Sequence, residues 1–200
     1  AGHGVATPMA VQTSTGDFGG EVISYPNLQQ LTNNFGSGGQ SDFPLDSSTQ
    51  AVSSYNMTNP PLSGTGEWEA AYDLWNSGHY NEIMIWTQTS TALINDSYGG
   101  ATKEVDNVTI GGVSYDFWQY GNGLPILVRN DQANSGTVDI RACLNYLKTI
   151  NIHGTAPSGS DPAIVTPGTS FGQMDYGWEV RGLNGSTQKF TLNSYSLTLS

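Results

Sequence analysis

The sequence predicts an all-β fold, an antiparallel sandwich or barrel carrying one α-helix, and three observations lead there. Apolar runs of strand length recur between clusters of turn residues, at the spacing of a β-sandwich. Only 12% of the 200 residues are charged, so polarity rests on Ser, Thr, Asn and 25 Gly, which favour turns and strands over long helices. A single segment has helical periodicity.

From Ala1 to about Gly20 the chain is small, polar and weakly patterned, and reads as an irregular arm or edge strand. Glu21–Tyr25 is a short β-rich run closed by Pro26, and a Gly/Ser/Asn loop follows through Gln40. Strands are then expected at Gln50–Met57, Trp68–Trp75, Tyr80–Thr87, Glu104–Ile110, Val113–Tyr120, Pro125–Arg129, Asp175–Arg181 and Phe190–Leu199. Between Gly136 and Thr149, Val138, Cys143, Leu144 and Leu147 recur at helical intervals with Ile140 beside them, which predicts an amphipathic helix at about 137–149 on one face of the sandwich. No repeat, heptad or linker divides the chain, so residues 1–200 are read as one domain.

Charge and composition exclude several functions. Six Lys and Arg against 17 Asp and Glu give a net charge of −11, which repels phosphate backbones and anionic lipid, so neither nucleic acid nor membrane is expected as a partner. No apolar stretch approaches the ~20 residues of a membrane helix. Cys143 is the single cysteine and cannot form an intrachain bridge. His3, His79 and His153 are far apart and lack metal-ligand spacing, no G-x-S-x-G elbow is present, and Gly111-Gly112 and Gly121-x-Gly123 are turn glycines with no following helix to hold phosphate. No metal or organic cofactor is expected. Acceptor sequons occur at Asn56, Asn95, Asn107 and Asn184.

The informative stretches are Tyr72–Trp75 (YDLW) and Asn81–Trp86 (NEIMIW). Side chains alternate across a strand, so Ile83 and Ile85 face the core while Glu82, Met84 and Trp86 share the other face. Asp73 obeys the same logic one strand earlier and could hydrogen bond to Glu82 if the strands pair. In Tyr176–Val180 (YGWEV), Gly177 and Glu179 share one face and Trp178 and Val180 the other. Two carboxylates on one sheet face are the equipment of a retaining glycosidase, in which they stand about 5 to 5.5 Å apart. Arg181, two residues beyond Glu179, would share its face in an unbroken strand and lower its pKa.

These runs, with the IGGVSYDFWQYGNG stretch, the helix after it and the closing FTLNSYSLTLS, resemble glycoside hydrolase family 12, the endoglucanase and xyloglucanase family, over roughly Glu21 to Ser200. The resemblance implies a concanavalin-like β-jelly-roll of two antiparallel sheets with a concave cleft. It implies Glu82 as nucleophile, Glu179 as acid/base, Asp73 as support for the nucleophile, and Met84, Trp86 and Trp118 as cleft residues that contact substrate. The implied activity is retaining hydrolysis of β-1,4-glucan (cellulose, mixed-linkage glucan or xyloglucan) by a secreted enzyme without cofactor, most simply a monomer.

The chain departs from the family's pattern in two places. No Asn-Asn-x-Trp-Gly motif precedes Glu21, and Asn33-Asn34-Phe35-Gly36, which lies later and lacks the tryptophan, reads as loop. The proline-glycine loop after the nucleophile strand is replaced by Thr91–Thr102. Missing early strands would leave a sheet edge unpaired, open to capping by another chain. A non-catalytic carbohydrate-binding or structural β-sandwich relative that keeps the fold is therefore the alternative function.

Overall fold

The computed structural model describes residues 22–31, 41–78, 80–121, 123–150, 152 and 164–200, and the backbone of 7–12. All three histidines and residues 33–36 lie outside the described residues.

Two sheets face each other. The smaller has the order β1-β12-β4-β10, from β1 (Thr7–Gln12), β12 (Thr187–Leu199), β4 (Ala51–Thr58) and β10 (Ser135–Asp139). The larger has the order β2-β11-β5-β6-β9-β8-β7. Its members are β2 (Asn27–Leu28), β11 (Ser170–Gly182), β5 (Glu67–Asn76), β6 (Glu82–Thr89), β9 (Pro125–Arg129), β8 (Val113–Gln119) and β7 (Thr102–Ile110), with β3 (Phe43–Pro44) also pairing β11. Every pair is antiparallel except β6 with β9, where Met84 meets Ile126 in parallel register.

Alternation builds the interior. Trp68, Tyr72, Leu74, Ile83, Ile85, Leu127, Tyr176, Trp178 and Val180 point from the larger sheet onto Tyr55, Met57, Phe190 and Leu192 of the smaller, and all are buried. Each such side chain contributes roughly 1.5–3 kcal/mol through burial. Buried hydroxyls are satisfied within this layer: Tyr72 donates to Ser53 Oγ at 2.8 Å, and Tyr176 shares a bond with Thr87 at 3.0 Å.

The expected helix is present but starts later, as α3 (Ile140–Ile150), after α1 (Thr91–Asn95) and the single turn α2 (Ser97–Gly100). Residues 135–139 pair with β4 instead, placing Val138 in the core from a strand. Asp139 ends that strand by accepting from the Ala142 amide at 2.8 Å, and Ile140, Cys143, Leu144 and Leu147 bury the apolar stripe. Val138 is in phase with both periods, which is why periodicity alone extended the helix backwards.

The edge expected to lie open is covered. Ser24 bridges Val180, Pro26 O accepts from Trp178 N at 3.1 Å, Gln30 O accepts from Met174 N at 3.0 Å, and Leu31 bridges Gln173. This segment and β3 thus shield one side of β11, while β1 pairs β12 in the other sheet. No helix among the described residues is long and apolar enough to cross a membrane.

Candidate active site

The outer face of the larger sheet carries a cluster of acids that follows from one register. On β5, Glu69, Ala71, Asp73 and Trp75 share a face, and on β11 so do Glu179, Gly177 and Asp175. The antiparallel pairing sets Glu69 opposite Glu179, Ala71 opposite Gly177 and Asp73 opposite Asp175. On the other flank, β6 sets Trp86 opposite Ala71, Met84 opposite Asp73 and Glu82 opposite Trp75. Five carboxyl groups therefore share one face, with the two smallest residues at its centre.

Tyr25 lies across those small residues, donating from its hydroxyl to Ala71 O at 3.4 Å. Gly177 makes the approach possible, since a Cβ there would stand 2.2 Å from Pro26 O and 2.6 Å from Asn27 Cα. Burial raises the Tyr25 phenol well above its ordinary pKa, and the charges of Asp73, Asp175 and Glu179 add to it.

The acids are organised in two hydrogen-bonded pairs. Asp73 and Glu82 form one, diagonally across β5 and β6, and the Trp75 indole also donates to Asp73. Burial, then the charges of Asp73 and Glu179, push Glu82 up to about 9. Burial raises Asp73 to about 6. The pair holds one proton near neutrality, and Asp73 Oδ1 is a buried oxygen with no other donor.

Glu69 and Glu179 form the second pair. Glu69 is fully buried, and Arg181 Nη2 donates to its Oε1 at 3.3 Å and to the Tyr120 hydroxyl at 3.0 Å. A register shift between Val180 and Gly182 falls at Arg181, whose guanidinium stays on the side of Glu69 and Glu179. Burial raises the Glu179 pKa, and this outweighs the lowering by Glu69 and Arg181. Asp175, with donors from Gln173 at 2.8 Å and Gln29 at 3.2 Å on Oδ2 and none on Oδ1, is pushed up to about 7, mainly by burial.

Of the residues singled out in the sequence, Asp73, Glu82 and Glu179 share this face. Glu179 acts electrostatically on both Asp73 and Glu82. Their register is nevertheless offset: Glu82 is level with Trp75 and Glu179 with Glu69, and six positions of a flat strand span about 20 Å. Met84 and Trp86 share the face of Glu82 as expected but are sealed, 2% and 0% exposed, beneath Leu93, Tyr98 and Ala101 from the 91–101 segment. The Trp86 indole donates to Met84 Sδ at 3.4 Å. Trp118, on β8, is half-buried, with Tyr98 edge-on at 4.5 Å and Lys103 Nζ 5.1 Å from its ring centre.

Glu69, Asp175 and Tyr25 were not anticipated. The first two carried a signal: Glu69 precedes Asp73 by four residues and Asp175 precedes Glu179 by four, so period two puts each couple on one face and antiparallel pairing closes the square. Tyr25 carried none, because its place depends on a long-range bridge to β11. Among the described residues no group of three or more His, Cys, Asp or Glu side chains is arranged to hold a metal ion.

No protein-family model matches the chain, and no curated protein sequence matches it. Solved structures do. The xyloglucanase domain of NopAA, a type three effector from Sinorhizobium fredii, in complex with cellobiose, is similar at 24% identity and TM-score 0.72 over 98% of this chain and 82% of that one. A family 12 xyloglucanase from Bacillus licheniformis is similar at 20% identity and TM-score 0.66, covering 94% and 79%. The endoglucanase Cel12A from Rhodothermus marinus is similar at 16% identity and TM-score 0.69, covering 96% and 82%. The two facing sheets and their order thus give the chain the fold of the family 12 glycoside hydrolases.

Proposed function

We propose that the chain is a family 12 glycoside hydrolase acting on β-1,4-linked glucan, an extracellular polymer, by double displacement with retention. The observation that carries the reading is the pairing of both candidate catalytic acids with a second carboxyl on one outer face of a family 12 fold. Glu179 gives a proton to the leaving glycosidic oxygen as Glu82 attacks the anomeric carbon. Attack requires Glu82 as the anion, so the proton of its pair sits on Asp73 at that moment, favoured by the positive charge developing on the sugar. Water, deprotonated by Glu179, then hydrolyses the glycosyl ester, and both pairs regain their starting protons. Trp118, once Lys103 swings off its ring, supplies an aromatic wall for a glucose unit. Met84 and Trp86 act from beneath, fixing β6 and the rotamer of Glu82.

The register offset favours a second reading, a glycan-binding relative without hydrolysis, since retaining chemistry needs carboxyls about 5 to 5.5 Å apart. Incubation with carboxymethylcellulose, mixed-linkage β-glucan and xyloglucan separates the two. Hydrolysis predicts new reducing ends, a β-anomer appearing first by proton NMR, and a loss on the order of 10³-fold or more in Glu82→Gln. Binding without release of reducing ends refutes the enzyme, and an α-anomer appearing first refutes double displacement.

A further inference from the structure

Glu179 is not an isolated acid. Directly opposite it on β5 stands Glu69, closed to solvent, with one oxygen held by Arg181 and the other, Oε2, buried without a donor. Arg181 is itself enclosed: Tyr120 accepts from it, and Gly99 approaches so closely that a Cβ would stand 2.4 Å from Nη1. The backbone of Gly99, at φ +69°, belongs to the 91–101 segment that covers Met84 and Trp86. This segment is anchored by the Tyr120 hydroxyl, which donates to Tyr98 O.

We propose that Glu69 is a positioning residue for Glu179: the two carboxyl groups share a single proton, and Arg181 makes the trio electrically neutral only while that proton is present. Fully deprotonated, the trio carries one net negative charge in a largely buried place; doubly protonated, it carries one positive charge. Both are costly at that depth, so the singly protonated state spans a wide pH range. The shared proton is also the donor that Glu69 Oε2 lacks. During catalysis it leaves on the glycosidic oxygen, Glu69 keeps its bond to Arg181, and water returns a proton to Glu179 in the second step. The shift of Glu69 well above the ordinary carboxylate range, through burial and then the charge of Glu179, agrees with this.

Other groups act on the trio from every side: Asp73 on β5, Glu82 on β6, Tyr25 from the segment beside β11, and Tyr120 after β8. All are acids or phenols, so Arg181 is the one cation acting on Glu179 among the described groups. The role of Glu69 rests on the proposed hydrolytic reading, whereas the shared proton does not.

The two charge changes act in opposite directions. In Glu69→Gln, ionised Glu179 alone neutralises Arg181, so the proton is lost at lower pH. In Arg181→Met, two carboxyls face each other without a cation, and the proton is held to higher pH. The alkaline limb of kcat/KM should therefore fall in the order Arg181→Met, wild type, Glu69→Gln. Activity of Glu69→Gln relative to wild type should drop roughly tenfold more at pH 7 than at pH 5. A uniform loss at all pH values, with the limb unmoved, overturns the proposal. Carbon-13 labelling of the glutamate carboxyls reads the same proton without substrate. Wild type should show Glu69 and Glu179 moving together in one step, and Glu69→Gln should shift the Glu179 step to lower pH. Independent titration of the two groups, or a Glu179 step unchanged by Glu69→Gln, overturns the shared proton whether or not the wild type cleaves a glucan.

Discussion

Replacing Asp175 by asparagine should stabilise the protein at pH 8 and leave it nearly unchanged at pH 4. Asp175 is fully buried, its charge faces Asp73 across the strand pair, and one of its oxygens has no donor. Its pKa is raised from 3.8 to about 7, so between those values the folded state holds a proton that the unfolded chain has released. Stability from this group is thus complete below about pH 4 and falls as pH rises through 7. A shift of that size is worth about 4 kcal/mol at pH 8, as an upper bound. The amide that replaces the carboxyl avoids this cost: its carbonyl still accepts from Gln29 and Gln173, and its NH2 group can donate toward Asp73. Relaxation and water penetration around a buried carboxylate leave a realised gain of about half this bound. At roughly 2–4 °C per kcal/mol for a chain of this size, the melting temperature should rise about 4–8 °C at pH 8. Thermal unfolding of both proteins at pH 4, 6 and 8 measures it. An equal shift at all three values, or a lower melting temperature at pH 8, would show that Asp175 is ionised and well solvated by its donors, and the reasoning fails.

Gly177→Ala should lower the melting temperature and detach residues 24–28 from β11, because the obstructing atoms at 2.2 and 2.6 Å are backbone; faster amide exchange at Trp178 and Val180 would report it. Ser90→Ala should cost about 1–2 kcal/mol in denaturant unfolding, since Ser90 Oγ accepts from both Leu93 N at 3.3 Å and Trp68 N at 3.1 Å in a buried place. Trp118→Ala should raise KM for glucan oligomers more than it lowers kcat, and an unchanged KM would remove Trp118 from the cleft wall.

How much of this site was legible in the sequence depends on which contacts each part needs. Alternation along Glu82–Trp86 and Tyr176–Val180 is a local property, and it assigned Ile83, Ile85, Trp178 and Val180 to the interior and Glu82 and Glu179 to the outer face, as the structure has them. Period two says only which face a residue occupies, and what covers that face is decided elsewhere in the chain. Met84 and Trp86 are sealed because residues 91–101, a segment with two helical turns and positive φ at Ser97 and Tyr98, fold over them. Nothing in the EIMIW run encodes that lid.

The same division explains Glu69 and Arg181. Glu69 was visible as a carboxylate in phase with Asp73, but its weight in the site comes from a cross-strand partner and from the Arg181 guanidinium on its Oε1. Arg181 lies on the side of Glu179 and lowers its pKa, as alternation along the strand says. What alternation cannot show is that its charge is shared with Glu69 and Tyr120 and that burial outweighs it at Glu179. The 91–102 segment, which stands where the resembled pattern has a proline-glycine loop, meets Arg181 at Gly99. A bulkier residue at position 99 would have to displace the guanidinium, so loop and charge trio form one unit, and an engineered change to either should be judged by the proton on Glu179.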